Sequence, residues 1–195
     1  MTYEPEKHDR GSIRLPGYDY TQHGAYFVTM CVAGRRCIFG KIVNGMMQPN
    51  KNGLIVAGQW SGLPKHYSNV ILDAFVLMPN HIHGILRLKD NETPPVGAGF
   101  KPAHASSETK FRHGLPEIIR GFKTFSSRSI NRLNGTTGKP VWQRNYYEHV
   151  VRSEDDLDVI RRYIVENPLK WAEDPENPRV YRVVAGASGG GPETL

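Results

Sequence analysis

The chain has 195 residues, 38% of them hydrophobic and 23% charged, the make-up of one ordinary globular domain; collagen-like, coiled-coil and wholly disordered readings are excluded. No apolar run approaches the roughly 18 residues of a membrane helix, and the polar start MTYEPEKHDRGSIRLPG has no signal-peptide core, so a cytoplasmic protein is expected. The net charge of +6 is uneven: between 110 and 144 eight basic residues stand against Glu117 alone, which suits either a phosphate-binding face or a solvated helix surface.

Residues 1–24, punctuated by Pro5, Gly11, Pro16 and Gly17, read as an irregular arm whose Tyr18 and Tyr20 pack onto the domain. The aromatic and β-branched run 25–33 (AYFVTMCVA) reads as a buried strand. Cys31 and Cys37, with no C-x-x-C between them, read as buried free thiols. Asn44-Gly45 between two short apolar runs is a strong hairpin signal. Residues 52–66 suggest a helix weakened by three glycines. Runs 70–78 and 81–88, broken by Pro79-Asn80, suggest an antiparallel strand pair. Residues 89–113 have no pattern and read as a flexible loop.

Residues 115–133 form an amphipathic pattern, with Pro116 in the first turn, an apolar stripe of Ile118, Ile119, Phe122, Phe125, Ile130 and Leu133, and Asn134-Gly135 at the end. Residues 141–152 contain a further strand. Ser153-x-x-Asp156 caps a last helix, and Pro168 is expected to end it. This divides the chain into an arm (1–24), a domain (25–174) and a tail (175–195). Helices interleaved with antiparallel strands give an α+β class, most simply a ferredoxin-like sandwich with helices on one face of the sheet.

His81 and His83 flank Ile82. On a strand they share one face, roughly 6.5–7 Å apart at Cα. Two converging imidazoles can hold a metal ion, although two surface histidines would read the same way. A third ligand must come from elsewhere. Tyr163 and Asn167 lie four apart on the last helix and so one turn apart on one face; an amide oxygen there could complete the site while the phenol points at the group the metal polarises. Tyrosine oxygen can be a covalent nucleophile, but its ordinary pKa of about 10 calls for nearby positive charge. Tyr146, Tyr147 and His149 compete less well, having no amide one turn away. Arg120, Lys123, Arg128 and Arg144 are candidates for a phosphate-binding face, and, with the DNA substrate that the resemblance given next implies, for its backbone, with Trp142 for stacking on a base.

The run MPNHIHGIL at 78–86 resembles the HUH motif of single-tyrosine HUH transposases. VWQRNYYEHVVRSEDDLDVIRRYIVENPLKW at 141–171 and LPGYDYTQHGAYFVTMCVAGRRCIFG at 15–40 resemble the C- and N-terminal blocks of REP-associated tyrosine transposases. The resemblance implies an HUH endonuclease fold, Mg²⁺ or Mn²⁺ held by His81, His83 and Asn167, and Tyr163 as the nucleophile of a 5′-phosphotyrosine intermediate. It implies single-stranded DNA with imperfect hairpins as substrate, and a monomer or homodimer. Related transposases often carry glutamine where this chain has Asn167. Two other classes remain: a non-catalytic single-strand-binding module, and a zinc hydrolase that recruits His149 and uses water as nucleophile.

Overall fold

The computed structural model of the chain describes residue 15 and residues 17–89 and 113–180. Residues 90–112 of the expected loop at 89–113, most of the arm and the end of the tail lie outside these residues. Among the described residues six strands and four helices follow the order expected from the sequence, with the helix expected over 52–66 divided in two. The aromatic-rich β1 (Gly24–Cys31) forms the middle of a four-stranded antiparallel sheet with β4 (Val70–Leu77), β5 (His81–Leu88) and β6 (Tyr147–Val151), in the order β4-β5-β1-β6. A separate hairpin joins β2 (Gly40–Val43) to β3 (Met46–Pro49). Its two turn residues, Asn44 and Gly45, both have positive φ (51° and 72°), the type I′ geometry that Asn-Gly favours.

One face of the sheet carries Tyr26, Val28 and Met30 of β1 with Ile82 and Leu86 of β5. It packs on α1 (Lys51–Ser61), followed by the single turn α2 (Leu63–His66), and on α3 (Leu115–Asn134), through Val56, Trp60, Ile118, Ile119 and Phe122. Gly84 is required here: a Cβ on it would lie 2.3 Å from Trp60 Cζ2. The other face carries Phe27 and Ile85 under Leu157, Ile160 and Ile164 of α4 (Glu154–Glu166).

The α+β class and antiparallel sheet are as expected, but the helices cover both faces rather than one. The reason lies in Phe27 of β1 and Ile85 of β5, which put apolar surface on the second face that Leu157, Ile160 and Ile164 cover.

Two further expectations change at the end of the chain. Ser153 does cap α4, its Oγ accepting from the Asp156 amide at 3.1 Å. Pro168, however, does not stop the helical path. Asn167 stays in the right-handed helical region (φ −55°, ψ −43°), and the chain runs on as a 3₁₀ segment, Asn167–Glu173. Proline is tolerated in the first turn of such a segment because its missing N–H has no partner to lose.

The expected tail boundary after 174 cuts through packed structure, since Asp174 and Asn177 are both buried. Tyr20 is buried in the core and its carbonyl accepts from the Leu115 amide at 3.0 Å, so this part of the arm packs as expected. Both cysteines are free, but Cys37 is exposed rather than buried. Among the described residues no helix is long and apolar enough to cross a membrane.

Candidate active site

The histidine pair sits on the face covered by α4. Across the sheet, Val76, His83, Thr29 and Tyr147 form one row of opposed residues. Thr29 Oγ1 lies 2.7 Å from His83 Nδ1. Asn80, wholly buried, turns its amide nitrogen to the carbonyls of Arg35 (3.0 Å) and Glu176 (2.6 Å). Its oxygen therefore accepts from His81 Nδ1 at 2.8 Å, which leaves the lone pair of His81 on Nε2. The two Nε2 atoms face each other at 3.0 Å.

Burial, the neighbouring His83 and Arg35 push the His81 pKa down to about 2. Burial alone pushes His83 to about 3. Both imidazoles are thus neutral near pH 7, the form that ligates a metal.

A third group completes the cluster. Asp174 Oδ2 lies 3.6 Å from His81 Nε2, and ligand atoms of His81, His83 and Asp174 all fall within 4.8 Å of one another. This carboxylate is delivered by the chain after the 3₁₀ segment. That segment is held by Asn80 on the Glu176 carbonyl, by Arg35 on the Glu176 carboxylate, and by Asn177 Nδ2 on the Trp171 carbonyl at 2.8 Å. Burial raises the Asp174 pKa.

Asp174 Oδ2 and Asn167 Oδ1 are both buried without a hydrogen-bond partner among the described residues. Buried oxygens left unpaired carry a desolvation penalty, and Asp174 Oδ2 beside the two imidazoles makes a mixed N/O donor set suited to a divalent cation. The residues present therefore fit a metal. The resemblance supplied Asn167 as third ligand; Asp174 escaped the sequence reading because no periodicity or short spacing ties it to His81.

Tyr163 stands at the open side of the cluster. Its hydroxyl lies 3.3 Å from His83 Nε2, and its ring packs on His83 (5.2 Å) and edge-on to Phe27 (6.1 Å). The residue keeps 43% of its surface exposed. Burial of the hydroxyl raises its pKa, and Asp174 adds to this, while the Asn167 amide pulls the other way. The phenol is therefore protonated at neutral pH unless positive charge is brought near it.

Two residues before it, Arg161 grips Asp73 through Nε (2.8 Å) and Nη2 (2.6 Å). Asp73 sits where the β4–β5 register slips between Leu72 and Phe75, so an irregularity in the strand aims the carboxylate at α4.

The DNA-binding candidates lie elsewhere. Arg120 and Arg128 are exposed on α3, across the sheet from the histidines. Arg120, Lys123, Arg144 and Tyr146 line a groove of about 630 Å³. Lys123 does not present a free ammonium there. Its Nζ donates to the carbonyls of Gln143 (2.8 Å), Arg144 (3.2 Å) and Asn145 (3.0 Å), and burial lowers its pKa to about 8.

Trp142 is corrected outright. It is buried between Phe39 and Phe122, and its Nε1 donates to Ser126 Oγ at 2.9 Å, so its ring cannot receive a base. His149 does not join the cluster either, since its Nε2 pairs with Asp156 Oδ2 at 2.8 Å.

No family model matches the chain. An uncharacterized protein of Haemophilus influenzae is 38% identical over 178 residues, spanning 88% of this chain and 95% of the relative. A second protein of that organism, described as a candidate REP-associated tyrosine transposase, is 27% identical over 153 residues, spanning 78% of this chain and 74% of its own length. The fold is similar to that of a REP-associated tyrosine transposase bound to a REP hairpin, with a TM-score of 0.54 and 17% identity over 80% of this chain and 73% of that one.

Proposed function

Because the chain belongs to one family with its 38%-identical relative and shares the fold of a REP-associated tyrosine transposase, we propose that it is a metal-dependent single-strand DNA endonuclease and strand transferase. One observation carries this reading: a half-exposed phenol stands over the buried cluster, 3.3 Å from a histidine whose Nε2 faces that of a second histidine at 3.0 Å, with the Asp174 carboxylate beside them. A buried hydrogen-bonded histidine pair with no further task would not need an exposed tyrosine set over it.

In this reading Tyr163 is the nucleophile, and His81, His83, Asp174 and Asn167 hold Mg²⁺ or Mn²⁺. When bound, such an ion withdraws charge from a non-bridging phosphate oxygen and favours the phenolate over the phenol. The Tyr163 oxygen attacks phosphorus, and the bond from phosphorus to the 3′ oxygen breaks. That oxygen leaves as a 3′-hydroxyl once protonated, and the chain keeps a 5′-phosphotyrosine. Attack by another 3′-hydroxyl reverses the step and releases Tyr163, so strands are rejoined without ATP. The Asp73–Arg161 pair holds α4 against β4 and with it the position of the phenol. The solved neighbour is bound to a REP hairpin, and single strands bearing imperfect hairpins are the substrate we assign to this chain.

A covalent-trapping experiment tests the reading. Labelled single strands from the DNA flanking the gene are mixed with protein and Mg²⁺ or Mn²⁺ and run on a denaturing gel. A protein-sized labelled band that disappears with EDTA and in Tyr163→Phe is expected. A folded protein that binds the strands with metal present and forms no such band would instead be a binding module.

A further inference from the structure

Two cavities meet at Arg152. One, of about 220 Å³, runs beside β6 and is lined by Tyr147, His149 and Arg152. The other, of about 1080 Å³, lies at the far end of the sheet and is lined by Arg87, Lys89 and Arg152 among others.

The larger opens on the sheet face that bears the histidine pair; the smaller wraps the β6 edge, its lining taking in Glu148 and Val150 of the opposite face as well as Tyr147 and His149. Tyr147 stands opposite Thr29, itself opposite His83, and His149 stands opposite Phe27. Arg87 stands opposite Ala25, whose other partner is Val151. Over the centre of this face α4 packs on Phe27 and Ile85. On the β4 side the Asp73–Arg161 ion pair closes the gap between helix and sheet. On the β6 side His149 bridges to Asp156 of α4 at 2.8 Å, while the outer edge of β6 pairs with no further strand among the described residues.

The chemistry changes along this edge. Tyr147, next to the site, is 55% exposed, and its ring lies 6.3 Å from Phe27, which in turn packs on Tyr163. At the other end Arg87, Lys89 and Arg152 are all exposed, with Glu154 as the acid among the lining residues. An uncovered aromatic followed by a basic cavity suits a ligand that alternates flat rings with negative charges. An acidic peptide offers the charges but not the rings.

We infer that a single DNA strand held at Tyr163 runs along the outer edge of β6, with a base beside the reacting phosphate stacked on Tyr147 and phosphates further along held by Arg152, Arg87 and Lys89. The inference rests on the reading of Tyr163 given above. From Tyr147 to Val151 the strand spans about 13 Å, roughly four nucleotides at stacked spacing. Sequence-tolerant contact comes from the ring, and grip from the cations.

The test uses the full chain and a fluorescein-labelled single strand from the DNA flanking the gene, titrated by anisotropy at several salt concentrations. Tyr147→Ala is expected to weaken binding roughly 5- to 100-fold, and Tyr147→Trp to restore it, which a merely structural role at an exposed position would not do. Arg87→Ala combined with Arg152→Ala is expected to lower the slope of log affinity against log salt by about 1.4, and the double Lys replacement to retain it. Unchanged affinity and slope in folded Tyr147→Ala and Arg87→Ala/Arg152→Ala proteins overturn the track, as does wild-type protein that does not bind the strand. Weakened binding in a protein whose wild type forms no covalent adduct leaves the track standing and removes the nucleophile.

Discussion

The two faces of the sheet are built to different rules. The face under α1 and α3 is sealed by large apolar side chains, with Trp60 pressed on Gly84 and Trp142 locked between Phe39 and Phe122. The face under α4 has a smaller apolar patch of Phe27, Ile85, Leu157, Ile160 and Ile164, and beside it a buried polar cluster with unpaired oxygens. One face maximises apolar contact. The other tolerates a desolvation penalty that a bound cation would offset. Stability and chemistry are thus separated by the thickness of one sheet, and variants should report on one or the other.

The sharpest separation is expected at Tyr163. Tyr163→Phe should abolish the covalent adduct, a loss of at least about 10³ in strand cleavage, while thermal unfolding stays near wild type because only a half-exposed hydroxyl is removed. A large fall in melting temperature would break the division between the faces.

The converse holds for Phe122, buried on the sheet-facing side of α3. Phe122→Ala should cost about 3–5 kcal/mol in denaturant unfolding, and the fraction that remains folded should still form adduct.

Acid should act on the α4 face first. In the fold His81 and His83 stay neutral down to about pH 2 and 3 respectively, whereas an unfolded histidine takes up a proton near pH 6.5. Between those values the unfolded chain binds more protons, so stability without metal falls as pH drops below about 6.5. Each histidine contributes up to about 1.4 kcal/mol per pH unit. Urea unfolding from pH 7 to 4.5 measures this, and a His81→Gln/His83→Gln protein should show a shallower dependence.

The smallest expected effect is on the outside of α3. Removing Arg120 and Arg128 together should reduce the salt slope of single-strand binding by about 1.4 at most, with no change in adduct at saturating DNA. An adduct lost in this variant would mean that the basic helix serves the chemistry directly. Lys123→Ala belongs to the stability arm instead, because its ammonium holds three carbonyls before β6.

The element order was legible in the sequence because each element carries its own local signal. Asn44-Gly45 specifies its hairpin, Ser153 its cap and the 3.6-residue stripe of α3 its buried side. The histidine pair was legible because i and i+2 on a strand share a face whatever surrounds them. Asp174 was not, since it reaches His81 only through hydrogen bonds from Asn80 and Arg35, and no local rule encodes those. Trp142 misled for a related reason: an aromatic among basic residues reads alike whether it stacks on a base or fills a core.

Local chemistry in the chain determined the strands, the helices and which side chains of each element turn the same way. Tertiary structure alone decided which face each helix covers, and so which residues meet. α4 came to lie over the histidines and the basic α3 behind them because Phe27 and Ile85 put apolar surface on one face and Tyr26, Val28, Met30, Ile82 and Leu86 on the other, and each patch needs its own cover.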